Sequence, residues 1–257
     1  MEYIKAITAI IFLAITSTAN AALVSRLGGL AIYDTDLDIT WLANPNLAAT
    51  ETFGVSGISD SGTITGVMNL ETANNWINAM NNYGTSGYLN INTWRLPSTT
   101  VPDSGCTTLS GLPISNSTGY NCNLSEMGYL FYNEFNSTAG QHIRDNSDSN
   151  ISLFSFPLEP GDAVGFWSGT QPTPTQAFVF GFNVGGQGVE GSSNSFYKAF
   201  AVADGDVAAV PLPAPLILLV SGLMSLLVFT NKHNKRDKYA PTGRSDAQKT
   251  RAVYPCR

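Results

Sequence analysis

Histidine is nearly missing from this chain of 257 residues, which has only His142 and His233. A histidine-rich metal site is therefore excluded from residues 22–209, where a Ser-His-Asp triad would have to use His142. No Gly-x-Ser-x-Gly run marks a nucleophile elbow. Cysteine is scarce too, with three in all, and charged residues make up only 12% of the chain. Basic side chains are rarest of all between residues 22 and 209. Arg26, Arg95, Arg144 and Lys198 face ten Asp and six Glu there, a net of −12. Such a region repels nucleic acid and sulfated polymers. Paired carboxylates could hydrolyse glycosides, yet no spacing singles out a pair among the sixteen acids. No catalytic residue, metal or cofactor is called for, and the expectation is a protein that is not an enzyme.

What is present is clearest at the two ends. Residues 1–21 read as a secretory signal peptide. Lys5 supplies the basic start, Ala6 to Ile15 the apolar stretch, and Ala19-Asn20-Ala21 a small-residue cleavage site. An uncleaved anchor is the alternative, although the apolar stretch is short for one. Near the other end, Val210-Pro211-Leu212-Pro213-Ala214-Pro215 leads into the uncharged run Leu216 to Thr230. Lys232, Lys235, Arg236 and Lys238 follow at once. Counted from Ala208, the stretch 208–230 approaches the roughly 20 apolar residues that span a bilayer. Prolines in a helix's first turn lose no hydrogen bond, so the lead-in can join the span. The basic flank predicts a cytoplasmic tail over 231–257, with residues 22–207 across the membrane. That tail carries eight Lys/Arg against two Asp, and the positive-inside bias accounts for it without nucleic acid. From Tyr239 on, its charge, Pro and Gly predict disorder.

Between the ends, length and composition predict one domain. Cys106 and Cys122 flank a Gly/Ser/Asn/Pro-rich loop. In an oxidising compartment they are expected to pair, two free buried thiols being the alternative. Leu30 to Tyr33 and Ile39 to Ala43 read as a hairpin around Asp34-Thr35-Asp36-Leu37-Asp38. Alternating Asp suggests a calcium loop, but an EF-hand needs Gly and Glu where Ile39 and Pro45 stand. Residues 44–68 read as loop. Leu70, Ala73, Trp76, Ile77, Met80 and Tyr83 recur at helical spacing, with Asn69 as N-cap and Gly84 as stop. Ser125 is expected to cap a second helix with the stripe Met127, Leu130, Phe131 and Phe135. Gly165 to Thr170, Gln176 to Asn183 and Lys198 to Val202 read as strands, the second with an aromatic face. Trp76, Trp94 and Trp167 are expected in the core. Arg95, among apolar residues before Pro97, either packs on Trp94 and pairs with a carboxylate or lies in a ligand groove.

Two resemblances rest on these residues. The order of Val-Pro-Leu-Pro-Ala, short apolar helix and basic cluster resembles the PEP-CTERM sorting signal of exported bacterial proteins, in the variant lacking the glutamate. Val210, Pro211, Leu212, Pro213, Ala214, Lys232, Lys235 and Arg236 are the matching positions. The resemblance implies the secretion translocon and an exosortase-type membrane enzyme as partners. It also implies a stay at the inner membrane before the cell surface or the extracellular space. This chain runs on past its basic cluster to Arg257, where the family ends sooner.

Tyr33-Asp34, Trp41-Leu42, Trp76, Trp94-Arg95-Leu96-Pro97, Ser125-Glu126-Met127 and Phe166-Trp167-Ser168-Gly169-Thr170 together resemble the Lcl C-terminal-type domain. That domain is associated with the C-type-lectin-like superfamily. The resemblance implies a compact α+β domain with two helices, a small twisted antiparallel sheet and neighbouring chain ends. It implies binding of extracellular polysaccharide or another surface polymer more than catalysis, with Arg95 and Trp167 as the ligand-binding candidates. The calcium–sugar motifs of true C-type lectins are absent. A structural matrix protein without ligand accounts for the same composition.

Overall fold

The structure is a computed structural model that describes residues 23–60, 64–107, 116–157 and 164–207. The expected signal peptide, its cleavage site at Ala19 and Ala21, the sorting segment and the basic tail all lie outside the described residues. Among the described residues, no helix is long and apolar enough to cross a membrane.

The chain opens as an antiparallel meander of β1 (Leu23–Arg26), β2 (Ala31–Asp34) and β3 (Ile39–Leu42). The β2–β3 hairpin forms as the sequence predicts, although Asp34 belongs to β2 and pairs with Ile39. Its turn closes on Asp34, whose Oδ1 accepts the N–H groups of Asp36 (3.1 Å) and Leu37 (3.0 Å). An aspartate doing this is turn chemistry.

Residues 44–68 are less irregular than expected. They hold a 3-10 turn at Leu47–Ala49 and a short strand, β4 (Val67–Met68). Helix α1 (Leu70–Asn81) starts where Asn69 accepts the Thr72 N–H (2.8 Å). Leu70, Ala73, Trp76, Ile77 and Met80 are its buried stripe. Each large side chain buried there contributes about 1.5–3 kcal/mol. Tyr83 departs from the expected stripe: the helix has already ended, and the ring is 52% exposed.

The second helix, α2 (Glu126–Tyr129), continues as a π-helical turn over Leu130–Glu134. Phe135 N–H reaches the Leu130 carbonyl, five residues back (3.0 Å). Ser125 precedes α2 but does not cap it with its side chain. Its hydroxyl donates to Asp103 instead (3.0 Å), because that buried carboxylate needs donors.

The remaining strands are β5 (Gly165–Trp167), β6 (Gln176–Gly181), β7 (Gly186–Gly191), β8 (Tyr197–Lys198) and β9 (Val202–Asp204). Instead of one small antiparallel sheet there are two. One is antiparallel, in the order β1-β2-β3-β9, and the other runs β4-β8-β5-β6-β7, with β5 and β8 parallel. The closing strand expected over 198–202 is therefore split. Residues 197–204 leave one sheet as β8 and join the other as β9, with the Ala201 carbonyl accepting from Leu42 N–H on the way (2.9 Å).

Side-chain alternation through these strands explains the packing. Trp41, Phe166, Phe180, Phe182, Phe200 and Val202 point to one apolar cluster, which α2 and its π-helical turn cover with Met127, Leu130 and Phe131. Leu42, Trp167, Val179, Ala199, Ala201 and Ala203 point to the other, which α1 covers with Ala73, Trp76, Ile77 and Met80. The described domain is thus α+β, with one helix on each side of shared strands, and it forms one compact unit. The two ends of the described domain meet where Arg26 grips Asp206 with two hydrogen bonds (2.8 and 2.7 Å).

Candidate functional site

Arg95 joins the sheet edge before its side chain does anything. Its N–H and C=O exchange hydrogen bonds with Val202 (2.8 and 2.9 Å), which extends the pairing beyond β9. Trp94 is anchored next door by Asn81, which bonds both its N–H and its C=O at 2.8 Å. The guanidinium then meets Glu126 at the start of α2 in a two-point bridge (2.9 and 2.7 Å). It also gives two bonds to Asp204 Oδ1 (3.0 and 2.7 Å) and one to the Leu96 carbonyl (3.2 Å). The bond to Glu126 holds its pKa above the ordinary arginine value. Of the two alternatives for Arg95, carboxylate pairing is realised, and the residue also borders a groove.

That groove has a volume of ≈ 540 Å³. Asn74, Ile77 and Asn78 of α1 form one wall, and Trp94, Arg95, Leu96 and Ser98 form another. Gly169, Thr170 and the exposed Asp204 complete it. The opposite segments are tied by hydroxyls. Ser168 Oγ donates to the Pro97 carbonyl (2.8 Å) and accepts from Thr99 Oγ1 (2.8 Å). Thr170 Oγ1 accepts from Thr99 N–H (2.8 Å). The Ser168-Gly169-Thr170 run thus holds the segment after Arg95, Pro97 to Thr99, in place. Asn74 and Asn78 stand one turn apart on the exposed face of α1, and neither side chain is hydrogen-bonded to another of the described residues. Amides in that state offer both donors and acceptors to a ligand.

Trp167 does not line the groove. Its ring is fully buried, its indole N–H donates to the Met68 carbonyl (2.8 Å), and Tyr197 packs edge-on at 5.1 Å. Trp76 and Trp94 are buried as expected. His142 is engaged locally, its Nδ1 accepting from Arg144 N–H (3.1 Å). Burial, then Arg144, lowers its pKa.

Cys106 and Cys122 form the expected disulfide, with Cα atoms 4.0 Å apart. Among the described residues, they and Asp103 are the only grouping of three acidic, thiol or imidazole side chains close enough to share a metal. The grouping does not fit one. Both thiols are consumed in the disulfide, and Asp103 already accepts from Gly105, Leu124 and Ser125 N–H groups and from the Ser125 hydroxyl.

Sequence reasoning missed one electrostatic feature. Glu134, buried by the π-turn, has its pKa pushed up to about 7 by burial and then by Asp34, Asp36 and Asp148. Tyr129, whose hydroxyl donates to Asp36 (3.0 Å), is pushed up to about 12 by burial and by that acceptor. No spacing in the sequence brings residues 34–36 beside 134 and 148, so no local signal could have found the cluster.

The fold and site therefore define a disulfide-bonded α+β domain with a polar surface groove. No family model, curated protein or solved structure matches the chain.

Proposed function

We propose that this is an exported surface or extracellular-matrix protein whose domain binds polysaccharide through the groove beside Arg95. The observation that carries the reading is the pair of unbonded amides, Asn74 and Asn78, facing a wall fixed by the Arg95–Glu126–Asp204 bridge. Carbohydrate recognition needs donors and acceptors held in place, since each hydroxyl that loses water must find a partner. Arg95 acts as a positioning residue, because its donors are engaged by carboxylates. The resemblance to Lcl C-terminal-type domains supports the same reading. Affinity electrophoresis in gels cast with neutral polysaccharides tests it. The protein should be retarded, and Asn74→Ala/Asn78→Ala should weaken retention by roughly tenfold, the loss of one or two hydrogen bonds. Unretarded migration in every gel would leave the structural matrix protein as the better account.

Export completes the proposal. The chain enters the translocon through residues 1–21, is held at the inner membrane by 208–230, and is released to the surface by an exosortase-type enzyme. The apolar run and the Lys232, Lys235, Arg236 and Lys238 cluster support it. In spheroplasts, external protease should remove the domain and spare the tail. A tail digested while the membrane stays sealed would refute this topology.

A further inference from the structure

We propose that a second surface, formed by Phe53, Tyr83 and Tyr88, stacks against pyranose rings of a neutral polysaccharide. The ligand class rests on the polysaccharide-binding reading above, but the site is separate from the groove. Phe53 is the hub. Its ring centroid lies 5.2 Å from Tyr83 and 5.3 Å from Tyr88, both edge-on, while the two tyrosines are 6.3 Å apart. Behind it, Phe53 leans on Trp76 at 5.7 Å. Trp76 is fully buried and its indole N–H holds the Glu51 carbonyl (2.8 Å), so the trio stands on a rigid base.

Core packing accounts for these rings only in part: Phe53 and Tyr88 rest against the α1 apolar cluster, and Tyr83 does not. Tyr83 is 52% exposed, and Phe53 and Tyr88 are only half-buried. Neither tyrosine hydroxyl has a hydrogen-bond partner in the described protein, although both are free to donate and accept. Isolated surface aromatics are ordinary; three in mutual contact with an open face are not. The backbone is also held in an unfavourable shape to present them. Phe53 has φ 50°, and Leu89 and Asn90, just after Tyr88, have φ 59° and 61°. Bulky residues adopt the left-handed region rarely, and such strain gathers at ligand sites.

The chemistry of the surface selects the occupant. An aromatic face takes the C–H face of a pyranose ring, and a tyrosine edge then meets its hydroxyls with little loss of side-chain freedom. Exposed Asn82, Thr85 and Ser86 supply further polar contacts around the rings. Glu51 sits close enough to Tyr88 to raise its pKa after burial has done so, and residues 22–209 carry a net of −12. Uronic or sulfated polymers are therefore disfavoured, and the ligand is neutral. On α1, Trp76 faces away from Asn74 and Asn78, so the platform and the groove lie on different sides of the helix.

The test is affinity electrophoresis of the full protein in gels containing hydroxyethylcellulose, laminarin or carboxymethylcellulose, with sedimentation velocity alongside. Retardation is expected in one of the neutral gels and not in the carboxymethylated one. Tyr83→Ala should weaken it about tenfold, Tyr83→Phe by less than about twofold, because the ring carries the contact. Tyr83 is exposed, so both variants should keep the wild-type melting temperature, which is checked first. Full retention in Tyr83→Ala, with retention lost in Asn74→Ala/Asn78→Ala, overturns the platform and leaves the groove reading intact. Loss in Tyr83→Ala, with the asparagine variant unaffected, supports the platform and overturns the groove. A wild-type protein unretarded in both neutral gels overturns both. If Tyr83→Ala abolishes a dimer and leaves retention unchanged, the rings serve a second copy of the chain and the proposal fails.

Discussion

Single residues in this domain show burial working against charge. Glu134 is pushed up to about 7 from an ordinary value of 4.5, chiefly by burial and then by Asp34, Asp36 and Asp148. Asp34 is shifted the same way by its own burial. A carboxyl whose folded pKa is raised holds its proton longer when folded than when unfolded. Its contribution is fully present below the unfolded value and is lost as pH rises through about 7. Between those limits Glu134 removes stability at about 1.4 kcal/mol per pH unit. Glu134→Gln should therefore stabilise the protein by about 2 kcal/mol more at pH 8 than at pH 5. Urea denaturation of both proteins at the two pH values reads this directly, and an equal difference at both would show that the carboxyl titrates normally. Arg95 is the opposite case, a charge satisfied by two carboxylates, and the bridge joins α2 to β9 across a long sequence separation.

Among the elements, α2 shows how close packing constrains sequence. A Cβ at Gly128 would sit 1.8 Å from the Cys122 carbonyl oxygen, so only glycine lets the helix lie on the disulfide loop. Two effects compete in Gly128→Ala. Helix propensity favours alanine by about 1 kcal/mol. Overpacking costs about 1–3 kcal/mol or more where the obstacle is backbone that cannot rotate away. The clash should win, with a net loss of about 2 kcal/mol in chemical denaturation. A stabilised variant would mean that the helix can lift off the loop without penalty. The π-turn that follows has a related origin. Leu130, Phe131 and Phe135 all reach the aromatic cluster, and the five-residue step from Leu130 to Phe135 is closed by one wide hydrogen bond.

For the whole domain, the disulfide and the shared strands tie distant parts of the chain together. Cys106 and Cys122 are separated by 16 residues. Closing a loop of that length removes unfolded-state freedom worth about 3 kcal/mol in the chain-entropy model. Reduction should lower the unfolding free energy by about that amount, measured with and without reductant at fixed pH. A midpoint unchanged by full reduction would show that the loop is held by its other contacts, such as those around Asp103. Two-sided burial is the second whole-molecule feature. Residues 199–203 alternate between two apolar clusters, phenylalanine and valine toward one and alanine toward the other. The small side chains lie on the α1 side, where Trp76 and Trp167 fill the space.

Local chemistry was legible in the sequence because it acts over a few residues. The β2–β3 hairpin turn closes on an aspartate beside its own backbone, α1 begins at an asparagine three residues from its partner, and its apolar stripe repeats each turn. The pairing of Cys106 with Cys122 was legible too, since two cysteines flanked one short loop. Other features depended on residues far apart in the chain. The glycine-rich strand β7 has little intrinsic strand preference and forms because β6 supplies a full ladder of partners. The division of one expected strand into β8 and β9 required two sheets to compete for residues 197–204. The candidate site followed the same rule. Arg95 stood out by its odd neighbours, but its partners, Glu126 and Asp204, and the facing Asn74 and Asn78 could be assigned only by folding. The size of its ring on a periodic face placed Trp167 among the core tryptophans, and it was also a ligand candidate. Tertiary packing decided for the core, because burying a large ring with a bonded indole N–H is favourable on both counts.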